Sequence, residues 1–200
     1  MKKLAIFGSG VGSNAENICD YFKNSSDIEV VLICTNNKDA FIVNRAKKLN
    51  IPLVFTSKTG LLKFDDLTKT LKNYDVDYII LAGFLLKIPS RMISAYPNKI
   101  INLHPSLLPK FPGLNTHKKA IDAEEKYHGA SVHFVTEELD GGPVISQEIV
   151  EVGPKDTEST LAQKVLEKEH ILYPNVIHWY TQNRLKLINE DTATLDGKIL

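Results

Sequence analysis

Two side chains that could act together on a carbonyl stand two residues apart near the middle of the chain. In the run Ile100 to His104, an extended strand puts Ile100, Asn102 and His104 on one face and Ile101 and Leu103 on the other, because successive side chains alternate. The Asn102 carboxamide can donate to a developing oxyanion, and the His104 imidazole can move or stabilise a proton near neutral pH. Pro105 has no N–H to donate, so it ends the pairing and biases His104 towards extended backbone. The pair would then sit at the carboxyl end of a strand, where open α/β sheets bind ligands. A lone Asn or His there is more often a solvated strand end; two on one face, fixed by a proline, point to a site.

A carboxylate is available further on. In HGASVHFVTEELDGGPVI, His128 to Ile145, alternation places Ser131, His133 and Val135 on one face and Val132 and Phe134 on the other. Asp140 enters a turn followed by two glycines. Such an Asp either bonds its own backbone as a turn former, or is presented beside the His104 strand to raise the imidazole's pKa or relay its proton. Spacing leaves both readings open. A second candidate region is FGSGVGSN, Phe7 to Asn14, which follows the first apolar run and opens the first helix. Unpaired N–H groups and the helix dipole favour an anion at such a place. Gly8, Gly10 and Gly12 permit close backbone approach, and Ser13 and Asn14 add donors and a helix cap. A dinucleotide site would want glycine where Ser13 stands, and no P-loop lysine follows. The loop therefore suits a mononucleotide or sugar phosphate, the bland alternative being a flexible strand-to-helix turn. Finally, Leu161, Val165, Glu169, Leu172 and Val176 recur at steps of three and four, so one carboxylate points inward from an apolar helix face.

The elements that must position these groups can be read from the hydrophobic pattern. Leu4–Phe7, Val30–Cys34, Leu53–Phe55, Tyr78–Leu81 and Ile100–Leu103 are short runs rich in Ile, Val and Leu. Between them Asn14–Phe22, Ala40–Leu49, Phe64–Asn73 and Ser90–Ala95 carry helical patterns. Apolar strands alternating with helices predict an α/β fold with a mostly parallel, doubly wound sheet. After Pro112 the rhythm changes to a helix over Thr116–Ala123, then strands Ala130–Val135 and Val144–Val152 forming an antiparallel extension. A long helix from Thr157 to about Tyr180 follows, with Asp156 as its expected cap, and Pro174 within it as an expected kink. Leu185–Ile188 and Leu195–Leu200, flanking a polar turn, predict a terminal hairpin.

Composition bounds the partners. Two hundred residues, 43% of them hydrophobic, fit one domain over 1–200. Lys plus Arg and Asp plus Glu balance at 24 each, so no global field draws in nucleic acid or a membrane. The apolar run at the start stops at Gly8, too short for a signal-peptide core or a membrane span, so a cytoplasmic location is expected. Cys19 and Cys34 form no C-x-x-C and no disulfide framework, which predicts free, buried thiols without a catalytic role. His117, His128, His170 and His178 show no metal-ligand spacing, and no metal is expected.

With these motifs in place, the chain resembles the phosphoribosylglycinamide formyltransferases, the folate-dependent family of purine synthesis, over nearly its whole length. GVGSN, AGF at Ala82–Phe84, NLHPSLLPKFPGLNTH at Asn102–His117, HGASVHFVTEELDGGPVI and KEHILYP at Lys168–Pro174 occur in that family's order and spacing. The Asn-x-His set with a distant Asp is common to folate-dependent formyltransferases; the glycine loop and the Glu-His run narrow the likeness to the ribotide enzymes. The resemblance implies transfer of the formyl group of 10-formyltetrahydrofolate to the amine of glycinamide ribonucleotide, by direct amine attack. It implies that Asn102 polarises the formyl oxygen, that His104 is a proton donor or oxyanion stabiliser, and that Asp140 raises the histidine's pKa. It implies a phosphate-binding half, 1–100, with Gly12, Ser13 and Asn14 on the ribotide phosphate, and a folate and catalytic half, 101–200, with Glu169 on the ribotide. Folate would lie along Leu85, Leu86, Lys87 and Ile88 and the loop from Thr136 to Asp140, with Asn102 also in contact. Where the family commonly carries arginines, this chain has Leu86 and Lys87 in one place and Leu61 to Lys63 in the other, so Lys63 and Lys87 are the candidate replacements. The expected partners are small-molecule substrates, with the protein a monomer or homodimer. Methionyl-tRNA formyltransferase is disfavoured by length and neutral charge, formyltetrahydrofolate hydrolase by the glycine loop, and a nucleotide-binding module without catalysis by Asn102, His104 and Asp140 together.

Overall fold

A computed structural model describes residues 1–189 and 192–200. The chain divides into two compact units, Met1–Asn102 and Leu103–Leu200. The first is the predicted alternation of strands and helices: β1 (Lys2–Phe7), α1 (Ser13–Phe22), β2 (Ile28–Thr35), α2 (Ile42–Lys48), β3 (Leu53–Phe55), α3 (Lys58–Lys63), α4 (Asp65–Asn73), β4 (Tyr78–Ala82), α5 (Ser90–Ala95) and β5 (Ile100–His104), whose last two residues open the second unit. β1 pairs in parallel with β2 and β4, and β2 with β3. Leu4 to Phe7, Leu32 to Cys34 and Ile79 and Ile80 are all buried, as strands covered on both faces require. The full strand order is β3-β2-β1-β4-β5-β6-β7, so the winding reverses between β1 and β4. That switch point lies between the glycine loop that leaves β1 and the Gly83–Leu85 segment that leaves β4, the place where open α/β sheets bind ligands.

The helix α3 lies outside the predicted pattern. Gly60 in its middle hid it, but Ser57 accepts the Gly60 N–H at 3.0 Å, and Phe64 at φ +62° ends α3 and starts α4 in one left-handed residue.

The second unit adds α6 (Thr116–Asp122), β6 (Tyr127–Phe134), β7 (Val144–Glu151), α7 (Glu158–Thr181), β8 (Leu185–Asn189), β9 (Thr192–Leu195) and β10 (Lys198–Ile199). β6 and β7 pair antiparallel from Tyr127↔Glu151 to His133↔Val144, with the register shifting between Val132 and His133. α7 packs on both strands, and its Leu161, Val165, Leu172, Val176 and Ile177 are all buried. Two expectations, the cap of α7 and the terminal hairpin, are corrected here. The cap of α7 is Thr157, in a reciprocal box with Thr160; Asp156 instead accepts from the Gly153 N–H at 2.7 Å and pairs with Lys164 at 2.6 Å. α7 includes Pro174 within its span. The carboxyl-terminal hairpin is a three-stranded antiparallel sheet in the order β10-β9-β8, because Asp196-Gly197 makes a second turn that splits the expected Leu195–Leu200 strand. The polar turn expected before it includes Glu190 and Asp191, which lie outside the described residues.

Candidate active site

His104 ends β5 with its side chain buried, one residue beyond Leu103 and two beyond the half-buried Asn102 on the same face of the strand. Its Nε2–H donates to the Phe111 carbonyl at 2.9 Å. A carbonyl only accepts, so the proton of a neutral His104 sits on Nε2 and Nδ1 carries the lone pair. Nδ1 faces Asp140 Oδ2 at 3.4 Å. Two acceptors face each other in that state, and only the imidazolium can donate to both neighbours.

Asp140 is held in turn. Its Oδ2 accepts the Gly113 N–H at 2.9 Å, and its Oδ1 lies 3.7 Å from His133 Nε2. His133 repeats the pattern of His104: its Nδ1–H donates to the Phe134 carbonyl at 2.8 Å, which leaves Nε2 turned to the carboxylate. One carboxylate thus lies between two buried imidazoles. The turn that carries it is exact in its needs, since Asp140 takes φ +53° and a Cβ on Gly142 would fall 1.9 Å from the Phe134 carbonyl oxygen. Burial alone would push the Asp140 carboxyl up; the His133 side chain, the Gly113 N–H and the two imidazole charges outweigh it and hold the group below the usual carboxylate range. For His104, burial pushes the pKa below 6.5, against the upward pull of the Phe111 carbonyl and Asp140. The expectation that Asp140 would lift it above the ordinary value is therefore corrected: the carboxylate raises it, but less than burial lowers it.

The segment from Pro105 to Asn115 that supplies the Phe111 carbonyl is tied internally. Ser131 Oγ donates to the Ser106 carbonyl at 2.6 Å and accepts the Leu108 N–H at 3.0 Å, while Ser106 Oγ donates to the Lys110 carbonyl at 2.6 Å. Phe111, Gly113 and Asn115 take φ of +56°, +78° and +59°, so the segment turns sharply enough to aim a carbonyl at His104 and an N–H at Asp140. Nearby, His117 Nδ1 and His128 Nε2 lie 3.1 Å apart, and burial followed by the His117 and His104 charges lowers His128 to about 4. Among the described residues no group of three or more His, Cys, Asp or Glu is placed to hold a metal ion.

In the first unit Gly12 is the N-cap of α1 at φ +77°, with no side-chain cap bond, which corrects the expected capping by Ser13 or Asn14. Gly12 has its own reason: an added Cβ would lie 2.7 Å from Ile42 of α2. Ser9 is buried, its Oγ donating to Asn36 and accepting the Leu85 N–H at 2.9 Å, while its N–H donates to the Gly83 carbonyl at 3.0 Å. The glycine loop is thereby joined to the Leu85–Ile88 segment, an irregular stretch with Leu85 and Lys87 exposed, Leu86 half-buried and Ile88 buried. Lys63 lines a cleft of about 450 Å³ with Phe55, Ser57 and Asp66, and its carbonyl accepts from Arg91 at 2.6 Å. In the second unit, Thr136 is half-buried between β6 and Asp140, and Glu169 is buried on the α7 face that carries Leu161, Val165, Leu172 and Val176. Sequence reasoning put His133 on a face but gave it no role; its strand register relative to Asp140 was the signal that could not be read.

The chain matches known proteins in sequence and in fold. A family model described as formyl transferase matches residues 2–177. The phosphoribosylglycinamide formyltransferase of Haemophilus influenzae is 41% identical over 206 aligned residues, covering 100% of this chain and 96% of that protein; the Escherichia coli protein of the same name is 40% identical, over 98% and 95%. The crystal structure of the enzyme of that name from Anaplasma phagocytophilum superposes with a TM-score of 0.91 at 35% identity, covering 98% of this chain and 95% of the other. That from Coxiella burnetii, in complex with CHES, also gives 0.91, at 39% identity over 100% and 95%. With the glycine loop, the Asn102-x-His104 strand end and the carboxylate against His104 all in place, the chain belongs to the formyl transferase family, and within it to the phosphoribosylglycinamide formyltransferases.

Proposed function

We infer that this chain transfers the formyl group of 10-formyltetrahydrofolate to the amine of glycinamide ribonucleotide, a step of purine synthesis. The observation that carries the reading is full-length identity of about two residues in five with relatives of that name. The chemistry asks for little beyond what the chain holds. The amine lone pair attacks the formyl carbon, giving a tetrahedral adduct with O⁻ and N⁺; the bond to the folate nitrogen then breaks as that nitrogen gains a proton and the amine loses one. On this reading the Asn102 amide donates to the oxyanion, a contribution of ~2.7 to 4 kcal/mol where one such donor has been removed. His104 stabilises the oxyanion or supplies the proton, and Asp140 holds its cationic form. Gly12, Ser13 and Asn14 receive the ribotide phosphate at the start of α1, and Glu169 accepts from the ribose. Leu85 to Ile88 and Thr136 to Asp140 take the folate, with Asn102 in contact and Lys63 or Lys87 on its acidic tail.

Two supporting features bear on setting. Among the described residues no helix is long and apolar enough to cross a membrane, and both cysteines are free and buried with thiols pushed up to about 12, as suits a reducing cytoplasm. The protein is proposed to be a monomer or homodimer, which sedimentation at several concentrations resolves. The deciding experiment offers glycinamide ribonucleotide, tRNA and water together as acceptors for the formyl group. Formyl on the ribotide alone is the expected result; formyl on tRNA, or release of formate, overturns the assignment.

A further inference from the structure

We propose that Arg45 is a positioning residue for phosphate recognition: from α2 it aims the N–H groups of the glycine loop and cancels the charge of Glu16 at the start of α1. The inference rests on the assignment of the Gly12–Asn14 loop to the ribotide phosphate. Arg45 makes three contacts with one guanidinium. Its Nε–H donates to the Val11 carbonyl at 2.9 Å, its Nη1 pairs with the Glu16 carboxylate, and its face lies over the Phe41 ring at 5.1 Å from the centroid. The same helix end ties the preceding peptide, because the Ile42 N–H donates to the Gly10 carbonyl at 3.2 Å.

In a trans peptide the carbonyl of one residue and the N–H of the next point in opposite directions. Anchoring the Gly10 and Val11 carbonyls on α2 therefore turns the Val11 and Gly12 N–H groups away from α2. The first-turn N–H groups of α1 follow directly, so consecutive donors are presented on the side where an anion would sit. Ile42 fills the space beneath: a Cβ on Gly12 would meet its Cβ and Cγ1 at 2.8 and 2.7 Å. Glu16 is the acidic residue of the first turn of α1. Uncompensated, its carboxylate would compete with a phosphate for the helix's positive end. Lys48 also reaches it, at 3.2 Å, but the Lys48 side chain is 77% exposed against 18% for Arg45, so solvent screens it more.

The test compares the ribotide with its phosphate-free riboside as acceptor, in steady-state kinetics with each variant's thermal melt. Arg45→Met should raise KM for the ribotide roughly three- to tenfold, the scale of a charge at a helix end. It should leave kcat, KM for the folate and kcat/KM for the riboside unchanged. Adding Glu16→Gln should recover part of the loss, because the uncompensated carboxylate is then gone. Should Arg45→Met fail to fold, Arg45→Lys, which keeps the charge but not the fork, should show a smaller rise confined to the ribotide. Equal losses for ribotide and riboside, no loss for either, or no recovery with Glu16→Gln would overturn the proposal. The unaltered enzyme separates this from its premise: equal kcat/KM for ribotide and riboside there sinks the phosphate assignment itself, whereas a preference for the ribotide that Arg45→Met leaves intact sinks only the role of Arg45.

Discussion

Replacing Asp140 by Asn removes one charge and little else. Asn tolerates the left-handed backbone at φ +53° as well as Asp does, so the turn is kept. An amide oxygen in the place of Oδ2 still accepts the Gly113 N–H, and an NH₂ in the place of Oδ1 faces His133 Nε2, which can accept it. What is lost is the attraction across the 3.4 Å from Oδ2 to His104 Nδ1. Two unit charges at that separation interact by about 5 kcal/mol at an effective dielectric of 20. Neighbouring carboxylates in proteins realise ~1 to 3 pKa units, or about 1.4 to 4 kcal/mol. The His104 pKa, already below 6.5, should therefore fall further, so that the imidazolium is less populated at any given pH. Turnover at neutral pH should drop by ~10- to 1000-fold if the cation is needed in the transition state, and recover partly as pH falls. An NMR titration of His104 in both proteins, beside the pH dependence of kcat, measures the two effects. A His104 midpoint that does not move would refute the electrostatic coupling, and a kcat loss with no shift in its pH dependence would refute the proposed role of the cation.

Asn102→Ala should cost ~2.7 to 4 kcal/mol in the transition state while the melting temperature hardly changes; an unfolded or a fully active variant would return Asn102 to the scaffold. Glu169→Gln should raise KM for the ribotide and spare folate affinity, checked by calorimetric titration of each ligand; a large fall in melting temperature with unaltered ribotide affinity would make the carboxylate structural. His128, lowered to about 4 when folded against 6.5 unfolded, binds its proton less readily in the native state. Its contribution is therefore complete above about pH 6.5 and is lost as pH falls towards 4, up to about 3 kcal/mol. His128→Asn should flatten the melting temperature over that window, and an unchanged acid slope would show that other groups set it.

Strands β1, β2 and β4 were legible because each holds a continuous apolar run, and burial on both faces is what a parallel core strand requires; β3, half-buried at the sheet edge, was legible as a short apolar run alone. The His104 side of the site was legible for a local reason: Asn102, His104 and Pro105 are neighbours, and alternation fixes their relation. Long-range relations were not. Spacing could not say whether Asp140 bonds its own turn or reaches His104, since that depends on how β6 and its loop lie against the segment after β5. His133 was missed for the same reason: its bond to Phe134 is local, but its approach to Asp140 depends on how the turn after β6 folds back. The misread cap of α7 has a different origin. Asp156 and Thr157 are adjacent residues of capping type, and the contest was decided by the backbone N–H bonds that Thr157 and Thr160 exchange, whereas Asp156 accepts from the Thr160 hydroxyl at 2.9 Å. Gly12 was read as a place for ligand approach, and the space beside it is taken by Ile42, a residue thirty positions away in the chain.

The arrangement around Asp140 also explains why burial and charge are set against each other. Both imidazoles have one nitrogen committed to a backbone carbonyl, so neither can turn a neutral N–H to the carboxylate by switching tautomer without breaking that bond. Only an added proton satisfies the 3.4 Å approach of His104, which is why the carboxylate favours the cation. Were His104 exposed, Asp140 would make it a strong base that holds its proton through the reaction and so a poor donor. Burial opposes the charge and brings the pKa down below 6.5, so the imidazolium gives up its proton more readily while the carboxylate keeps the cation accessible. On the proposed function, a His104 that supplies the proton to the departing nitrogen needs both properties, and neither burial nor Asp140 alone would supply them.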